Sequence, residues 1–209
     1  MDRGLRLQDV RLSKDATPLL ALDAKIAPGD VLTLMGPSGS GKSTLLSYVM
    51  GDLPPAFAAT GAVRLDGHDI LTLPTDKRRI SILYQDPLLF PHLDVATNLA
   101  FGLPRTVPRA KRRAMVDAAL ADVDLDGFGP RDPASLSGGQ AARVALMRVL
   151  LAGPAAVLLD EPFSKLDANL RDRMRSLVFD RVRDAAIPAL LVTHDEDDAR
   201  AAGGQVIRL

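Results

Sequence analysis

Residues 36–44 read Gly-Pro-Ser-Gly-Ser-Gly-Lys-Ser-Thr and fit the pattern G-x-x-x-x-G-K-[ST]. In such a loop, small residues let successive backbone N–H groups point at phosphate oxygens, and the following helix N-terminus adds its positive end. We therefore predict a nucleotide cradle in which Lys42 reaches the β and γ phosphates and the Ser43 hydroxyl holds Mg²⁺. The alternative is an ordinary strand–turn–helix corner, and four matched positions argue against it. The predicted phosphate-binding residues are Gly36, Pro37, Ser38, Gly39, Ser40, Gly41, Lys42, Ser43 and Thr44.

A second glycine-rich segment, residues 136–140, lies about a hundred residues further along the chain. It precedes an apolar helical pattern, so its N–H groups form another anion-binding helix terminus. One nucleotide needs only one cradle, so we expect this segment to bind the γ phosphate held by another copy of the chain. That predicts a head-to-tail two-fold dimer with two equivalent interfacial nucleotide sites. The contributing residues are Ser137, Gly138, Gly139 and Gln140.

Two carboxylates, Asp160 and Glu161, directly follow the apolar run 156–159. Open α/β sheets bind ligands at the carboxyl ends of their strands. Asp160 can hold Mg²⁺ together with Ser43, since Mg²⁺ takes few protein carboxylates beside phosphate and water oxygens. Glu161 can accept a proton from water attacking the γ phosphate, or orient that water. The alternative is that Asp-Glu-Pro only caps a helix.

His194 and Gln85 also follow apolar runs, 189–193 and 80–84. They can therefore lie at the same sheet edge as the two carboxylates. We predict that His194 contacts the γ phosphate or the attacking water, and that the Gln85 amide touches Mg²⁺ or water. The alternatives are a structural histidine and a polar strand terminus.

Apolar periodicity supplies the elements that position these residues. It predicts strands over residues 5–12, 19–26, 31–35, 63–65, 80–84, 156–159, 189–193 and 205–209, and helices over 43–50, 95–102, 108–123, 138–152 and 168–185. Strands alternating with helices predict an α/β fold with a mostly parallel core sheet. The first two strands predict an antiparallel portion. We expect one domain, with the core and β portion at about 1–86 and 155–209 and a helical portion at about 87–154.

The composition limits the classes of partner and of site. Charges balance to a formal net charge of zero, so there is no electrostatic argument for nucleic acid as the main partner. Cysteine is absent, which excludes disulfides, thiolate metal sites and a cysteine nucleophile within these 209 residues. No run of 18 apolar residues occurs, and residues 1–4 lead straight into an alternating segment, so we expect a cytosolic protein without a signal peptide.

Together these residues resemble the ATP-binding subunits of ABC transporters over nearly the whole chain. In that family's terms, residues 36–44 are similar to the Walker A loop, Gln85 to the Q-loop, 136–140 to the LSGGQ segment, 157–160 to Walker B, 164–167 to the D-loop and His194 to the switch histidine. The resemblance implies a P-loop NTPase of the ABC cassette type, with antiparallel β and helical subdomains, that hydrolyses ATP with Mg²⁺. It implies catalytic roles for Glu161, His194, Lys42 and Gln85, metal contacts from Ser43, Gln85 and Asp160, and a nucleotide contact from Asp167.

Residues 90–93 and 101–103, with Val95, Asn98 and Leu99, are similar to the importer branch that serves thiamine, iron, sulfate or polyamine uptake. This implies two transmembrane permease subunits, an external solute-binding protein and a place at the cytoplasmic face of the bacterial inner membrane. Residues 87–93, with Leu88, Leu89 and Phe90, are the predicted docking surface for the permease. The alternative is that these side chains are buried under the helical portion.

Several positions depart from the family pattern. The family usually stacks adenine on an aromatic residue before Walker A, whereas no aromatic residue precedes Tyr48 here and Lys14 or Arg11 lies near that position. We expect weaker binding and modest selectivity for ATP over GTP. Lys165 replaces a small D-loop residue, and Ala141 and Ala142 stand where basic residues are common. The last strand ends at Leu209, so we expect no regulatory C-terminal domain.

Other functions remain open at this point. An exporter or lipoprotein-release complex needs the same ATPase with different permeases. A soluble ABC ATPase acting on DNA or ribosomes is expected to carry tandem cassettes, a coiled-coil insert or a basic face. A non-hydrolysing, nucleotide-gated subunit is a further alternative, which the presence of Glu161 and His194 argues against.

Overall fold

The structure, a computed structural model, describes residues 3–209. Met1 and Asp2 belong to the predicted β portion and lie outside the described residues. Within the described part the strands are β1 (Leu5–Lys14), β2 (Thr17–Ile26), β3 (Val31–Met35), β4 (Phe57–Leu65), β5 (His68–Asp69), β6 (Ile80–Leu83), β7 (Ala156–Asp160), β8 (Ala189–Val192) and β9 (Gln205–Arg208). The α-helices are α1 (Lys42–Met50), α2 (Val95–Gly102), α3 (Arg109–Ala121), α4 (Gly138–Leu151), α5 (Ala168–Asp184) and α6 (Glu196–Ala202).

The core of the molecule is a parallel sheet with the strand order β6-β7-β8-β3-β9. Every residue of β3, β7 and β8 is buried, as expected for short apolar runs covered on both faces. Asp160 pairs with Val192, and Val192 pairs with Leu34, so these strands end at the same level. The predicted parallel sheet and the common edge of its carboxyl ends are confirmed.

The second sheet is antiparallel, with the order β2-β1-β4-β5. β1 and β2 pair from Leu5 opposite Ile26 to Lys14 opposite Thr17, as the alternating pattern predicts. β4 begins at Phe57, well before the predicted strand at 63–65. Its first half is mostly small residues and lacks apolar alternation, and pairing with β1 holds it in the sheet.

Helices α2, α3 and α4 follow one another between β6 and β7. Their buried side chains, including Leu99 and Leu146, share a core with Val157 and Leu159 of β7, whereas Leu158 belongs to the core beneath the antiparallel sheet. Alternate residues of a strand point to opposite faces, so the parallel sheet separates the two cores. The division into a core with a β portion and a helical portion stays a prediction.

Helix α6 has no counterpart among the predicted elements. It is seven residues long, and its buried apolar residues are only alanines, so the helical period is too weak to detect. The Asp195 side chain starts it by accepting hydrogen bonds from the backbone N–H groups of Asp197 and Asp198 at 2.7 and 3.4 Å. None of the helices within residues 3–209 has the length and apolar character needed to cross a membrane.

Candidate active site

The glycine-rich loop after β3 leads directly into α1, as predicted. Gly39 and Gly41 have φ angles of +84° and +91°, a region that glycine enters without strain. A side chain at position 41 would meet Leu19 Cγ at 2.9 Å, so the loop packs closely against the antiparallel sheet. Gly41 offers no side-chain cap to α1, and the first turn holds no acidic residue, so the first N–H groups of the helix are available to an anion.

The Lys42 side chain folds back over this loop. Its ammonium donates to the backbone oxygens of Gly36 and Pro37, both at 2.8 Å, and approaches Ser40 Oγ at 3.4 Å. The lysine is nearly buried. A positive charge and several free N–H groups therefore converge on one side of the loop, which is the arrangement that binds phosphate.

Ser43 and Asp160 meet beside the loop. The Ser43 hydroxyl is hydrogen bonded to the buried Asp160 carboxylate. Burial raises the pKa of Asp160, and the Glu161 charge raises it further, while the Ser43 hydrogen bond and the Lys42 charge lower it. A hydroxyl and a buried carboxylate fit Mg²⁺, a hard cation that prefers oxygen ligands and keeps several water and phosphate ligands. Within residues 3–209 no group of three or more His, Asp or Glu side chains forms a metal cluster of its own.

Glu161, His194 and Gln85 come together in one hydrogen-bonded group. His194 Nδ1 lies 3.0 Å from Glu161 Oε1, and Gln85 Nε2 donates to Glu161 Oε2 at 3.3 Å. The Glu161 backbone has a φ of +46° and its N–H donates to the Val192 oxygen at 2.9 Å, so β8 fixes its position. The carboxylate is thus oriented from both sides and can accept a proton from a nearby water.

Gln85 and Glu161 line one cavity of about 290 Å³ with the glycine-rich loop, whereas His194 stands outside its lining and reaches it only through Glu161. Its lining includes Lys42, Ser43, Gln85, Asp160 and Glu161. Three residues of the antiparallel sheet, Lys14, Leu19 and Phe57, also line it. Sequence analysis singled out Lys14 but missed Leu19 and Phe57, since only the strand pairing brings them to the loop.

The second glycine-rich segment forms the N-terminus of α4. The Ser137 hydroxyl accepts from the Gln140 N–H at 3.3 Å, and Gln140 Oε1 accepts from the Ser137 N–H at 2.9 Å. This capping box fixes the segment and leaves the N–H groups of Gly138 and Gly139 outside the capping hydrogen bonds. None of residues 137–140 lines the cavity at residues 36–44, so the two predicted cradles are separate within one chain.

The D-loop residues 164–167 follow both cradles in sequence, and all of them except Leu166 are exposed. Asp167 is exposed and caps α5 by accepting from the Leu170 N–H at 3.0 Å. It does not line the cavity, so its predicted nucleotide contact stays a prediction. Lys165 forms an ion pair with Asp86 at 2.6 Å, which ties the D-loop to the segment after Gln85.

A protein-family model described as ABC transporter matches residues 19–164. The chain therefore belongs to the ABC transporter family, and the resemblance drawn from its motifs is confirmed. It is an ATP-binding subunit with an ABC ATPase domain, as predicted.

The relatives of this chain include subunits of importers. The chain is 50% identical to the uncharacterized ABC transporter ATP-binding protein YnjD of Escherichia coli (strain K12), over 95% of this chain and 88% of that protein. It is 41% identical to the Fe(3+) ions import ATP-binding protein FbpC 1 of Rhizobium meliloti (strain 1021), over 91% of this chain and 54% of that protein. It is 43% identical to the sulfate/thiosulfate import ATP-binding protein CysA of Thermosynechococcus vestitus, over 89% of this chain and 55% of that protein. The chain thus spans about half the length of these two importer subunits.

Solved structures confirm the fold. The ATP-binding cassette MJ0796, in a dimeric post-hydrolysis state bound to ADP and Pi, superimposes with a TM-score of 0.83 at 30% identity, covering 98% of this chain and 94% of that one. A second dimeric structure of MJ0796, described as a bacterial ABC transporter cassette, gives the same TM-score at 29% identity. The predicted ABC cassette is confirmed.

Proposed function

We propose that this ATPase subunit powers the import of a small solute across the bacterial inner membrane, from the cytoplasmic face. It would act with two permease subunits and an external solute-binding protein. The observation that carries the ATPase part is the Glu161 carboxylate, held by His194 and Gln85 beside the phosphate loop. The import part is supported by the iron and sulfate importers among the relatives.

The site residues supply each part of phosphoryl transfer to water. Residues 36–41 and Lys42 cradle the triphosphate. Ser43, Asp160 and Gln85 would hold Mg²⁺, which would supply positive charge to neutralise the phosphates. Glu161 takes a proton from water as its oxygen bonds to the γ phosphorus and the bond to the β-bridging oxygen breaks, leaving ADP with the electron pair. His194 keeps the Glu161 carboxylate in position for that transfer.

The second cradle is supplied by another copy of the chain. Two observations support this: residues 137–140 lie outside the cavity of their own chain, and the MJ0796 neighbours are dimers. ATP then lies between Lys42 of one protomer and Ser137 of its partner. Such contacts favour a closed dimer of the two protomers while the γ phosphate is present, and the dimer opens after hydrolysis. ATP hydrolysis is thereby converted into movement of the permease.

The proposed permease contact uses only part of the predicted segment 87–93 and adds Phe101 from α2. Leu88 is 59% exposed and Phe101 of α2 is 67% exposed, whereas Leu89 packs against the core and Phe90 is half-buried. The Phe90 ring meets the Phe101 ring edge-on at 4.7 Å between centroids. Exposed apolar side chains on this segment and on the adjoining helix α2 fit an apolar helix of a membrane partner.

Buried Asn98 and half-buried Arg148 hold this surface in place. Asn98 accepts from the Phe90 N–H at 2.8 Å and donates to the Phe90 and Leu93 oxygens, both at 3.1 Å. Arg148 donates to the oxygens of Pro87 and Leu88 at 3.3 and 3.0 Å. These bonds explain why the segment keeps one shape without being a helix.

A reconstitution experiment tests the function. The chain is purified with its membrane partners and placed in liposomes with ATP inside or outside, and uptake of the solute carried by the co-purified binding protein is measured. We expect uptake only when ATP is on the side of this subunit, and none with Lys42→Ala. Extrusion of solute, or partners that lack a binding protein, would instead favour the exporter alternative.

The docking surface has a matched control. We expect Leu88→Asp with Phe101→Asp to abolish permease co-purification while ATP binding by the isolated subunit is unchanged. Met115→Asp replaces another exposed apolar residue, 38% exposed on α3, and should keep the permease bound. Equal retention of the permease by both variants would refute this surface.

A further inference from the structure

The cavity at the phosphate loop has one wall that the hydrolytic chemistry does not use. Asp160 and Glu161 follow a strand of the parallel sheet, whereas Lys14, Leu19 and Phe57 all belong to the antiparallel sheet. Lys14 of β1 pairs directly with Phe57 of β4, so an aromatic ring and a cation stand side by side on this wall.

The Phe57 and Lys14 side chains both line the cavity. The Lys14 ammonium lies over this ring, 5.8 Å from its centroid. Phe57 is half-buried and Lys14 is exposed, so the ring is held by its strand while the lysine is free to move. A ring face that attracts a cation is also the face on which a planar base stacks.

A nucleoside triphosphate on residues 36–44 must direct its base away from the two carboxylates. The acidic wall suits the metal and the attacking water, while an uncharged, flat, apolar base suits an aromatic ring and an aliphatic side chain. Leu19 is the part of the antiparallel-sheet wall that adjoins the loop, because its Cγ is 2.9 Å from where a Cβ on Gly41 would stand. The antiparallel sheet therefore offers the one aromatic surface in the lining of this cavity.

We infer that the base of ATP stacks on Phe57 after the Lys14 ammonium moves off the ring. The inference rests on ATP binding at residues 36–44. The aromatic contact then comes from β4, after the phosphate loop in sequence, and no aromatic residue is needed before it. Stacking tolerates any base because every base has a π-face, so selectivity between ATP and GTP stays small.

Tryptophan substitution gives a direct test, because the chain contains no tryptophan. Phe57→Trp places a single fluorophore on the wall, and a base stacked on it quenches its emission. We expect quenching that saturates with ATP, ADP and GTP. Inorganic tripolyphosphate should compete with ATP for the loop and cause no quenching itself. Phe128→Trp, in the helical portion beside Arg131, should not respond to any of these ligands.

Affinity measurements provide a second readout that does not depend on the tryptophan variant. With Phe57→Ala we expect ATP to bind about ten-fold more weakly or worse, while tripolyphosphate binding is unchanged. Lys14→Ala should bind ATP at least as well as the parent chain, because no cation then covers the ring.

The outcomes separate this inference from the function itself. If ATP binds Phe57→Trp by equilibrium dialysis without quenching, or if Phe57→Ala keeps full ATP affinity, the base does not stack on Phe57 while the ATPase assignment stands. If the parent chain binds neither ATP nor tripolyphosphate, the nucleotide site itself is wrong. Should Phe57→Trp fail to fold, the Phe57→Ala comparison alone decides.

Discussion

Two adjacent carboxylates at the end of β7 differ in environment, and the difference suits two roles. Asp160 is 9% exposed and touches Ser43, while Glu161 reaches the side chains of Gln85 and His194. A buried carboxylate beside a hydroxyl is suited to a cation. A carboxylate oriented by polar side chains is suited to move a proton.

Burial of Asp160 predicts that replacing this carboxylate raises stability while it lowers activity. Its pKa is raised above the usual range of an aspartate mainly by burial, so the folded state holds the proton more tightly than the unfolded state. The stabilising contribution of Asp160 is therefore complete below the unfolded pKa and is lost as pH rises through the folded pKa. At pH 7 without nucleotide we expect Asp160→Asn to unfold at higher urea concentration than the parent chain, with the difference shrinking toward acid pH.

The same substitution should lower Mg²⁺-dependent ATPase activity roughly a hundred-fold or more, since metal-ion charge stabilisation is worth several kcal/mol. Asp126→Asn, on an exposed loop, is the control and should change neither the stability in urea nor the ATPase activity. Equal or lower stability of Asp160→Asn at pH 7 would contradict the assigned direction of the pKa shift.

At the scale of elements, α5 and α6 hold the loop that carries His194. Buried Arg175 of α5 donates to Asp198 Oδ1 at 2.6 Å, and Thr193 donates to Asp198 Oδ2 at 2.8 Å. The Thr193 hydroxyl also accepts from the Asp195 N–H at 3.1 Å, so its two hydrogen bonds connect the residue before His194 to residues that follow it. Thr193 is thus a positioning residue for the histidine.

Thr193→Val should misplace His194 without unfolding the chain. The change removes the hydroxyl and keeps the side-chain shape, so we expect kcat to fall roughly ten-fold to a hundred-fold with KM for ATP nearly unchanged. Thr193→Ser retains the hydroxyl and should restore most of the activity. If both variants lower stability equally and leave kcat intact, the hydroxyl has only a structural role.

Sequence patterns predicted those elements whose local signal is strong. β3 matches the predicted 31–35 and α2 matches 95–102, because a buried strand before a glycine loop and a capped apolar helix each leave a clear pattern. The small residues after Phe57 leave no such pattern, and their strand exists only through pairing with β1. Sequence could therefore predict Lys42, Glu161 and His194, which stand in motifs, but not Phe57, whose place depends on a partner strand.

At the scale of the whole molecule, hydrolysis and dimerisation are coupled. Glu161→Gln removes the proton acceptor and keeps the side-chain shape, so hydrolysis should slow about a hundred-fold or more while ATP stays bound. We expect this variant to form a dimer only with ATP, measured by size-exclusion chromatography with light scattering. A variant that stays monomeric at saturating ATP would contradict the shared sites.

Gly138→Val in the Glu161→Gln background is the matched control. A Cβ at Gly138 meets nothing within 4 Å, so the protomer should fold normally. The added side chain covers the second cradle, so ATP should bind without producing a dimer. A dimer of undiminished stability would show that residues 137–140 do not hold the partner's nucleotide.

The order of strands in the parallel sheet also constrains how the protein is made. β3, which carries the phosphate loop, pairs with β8 and β9, both more than 150 residues further along the chain. Closing so long a loop is slow, whereas β1 and β2 are joined by a short turn and pair locally. During translation the apolar β3 therefore waits without its neighbours until β8 and β9 have left the ribosome. The antiparallel sheet can form earlier, so the phosphate loop gains the strands beside it only after that sheet has folded.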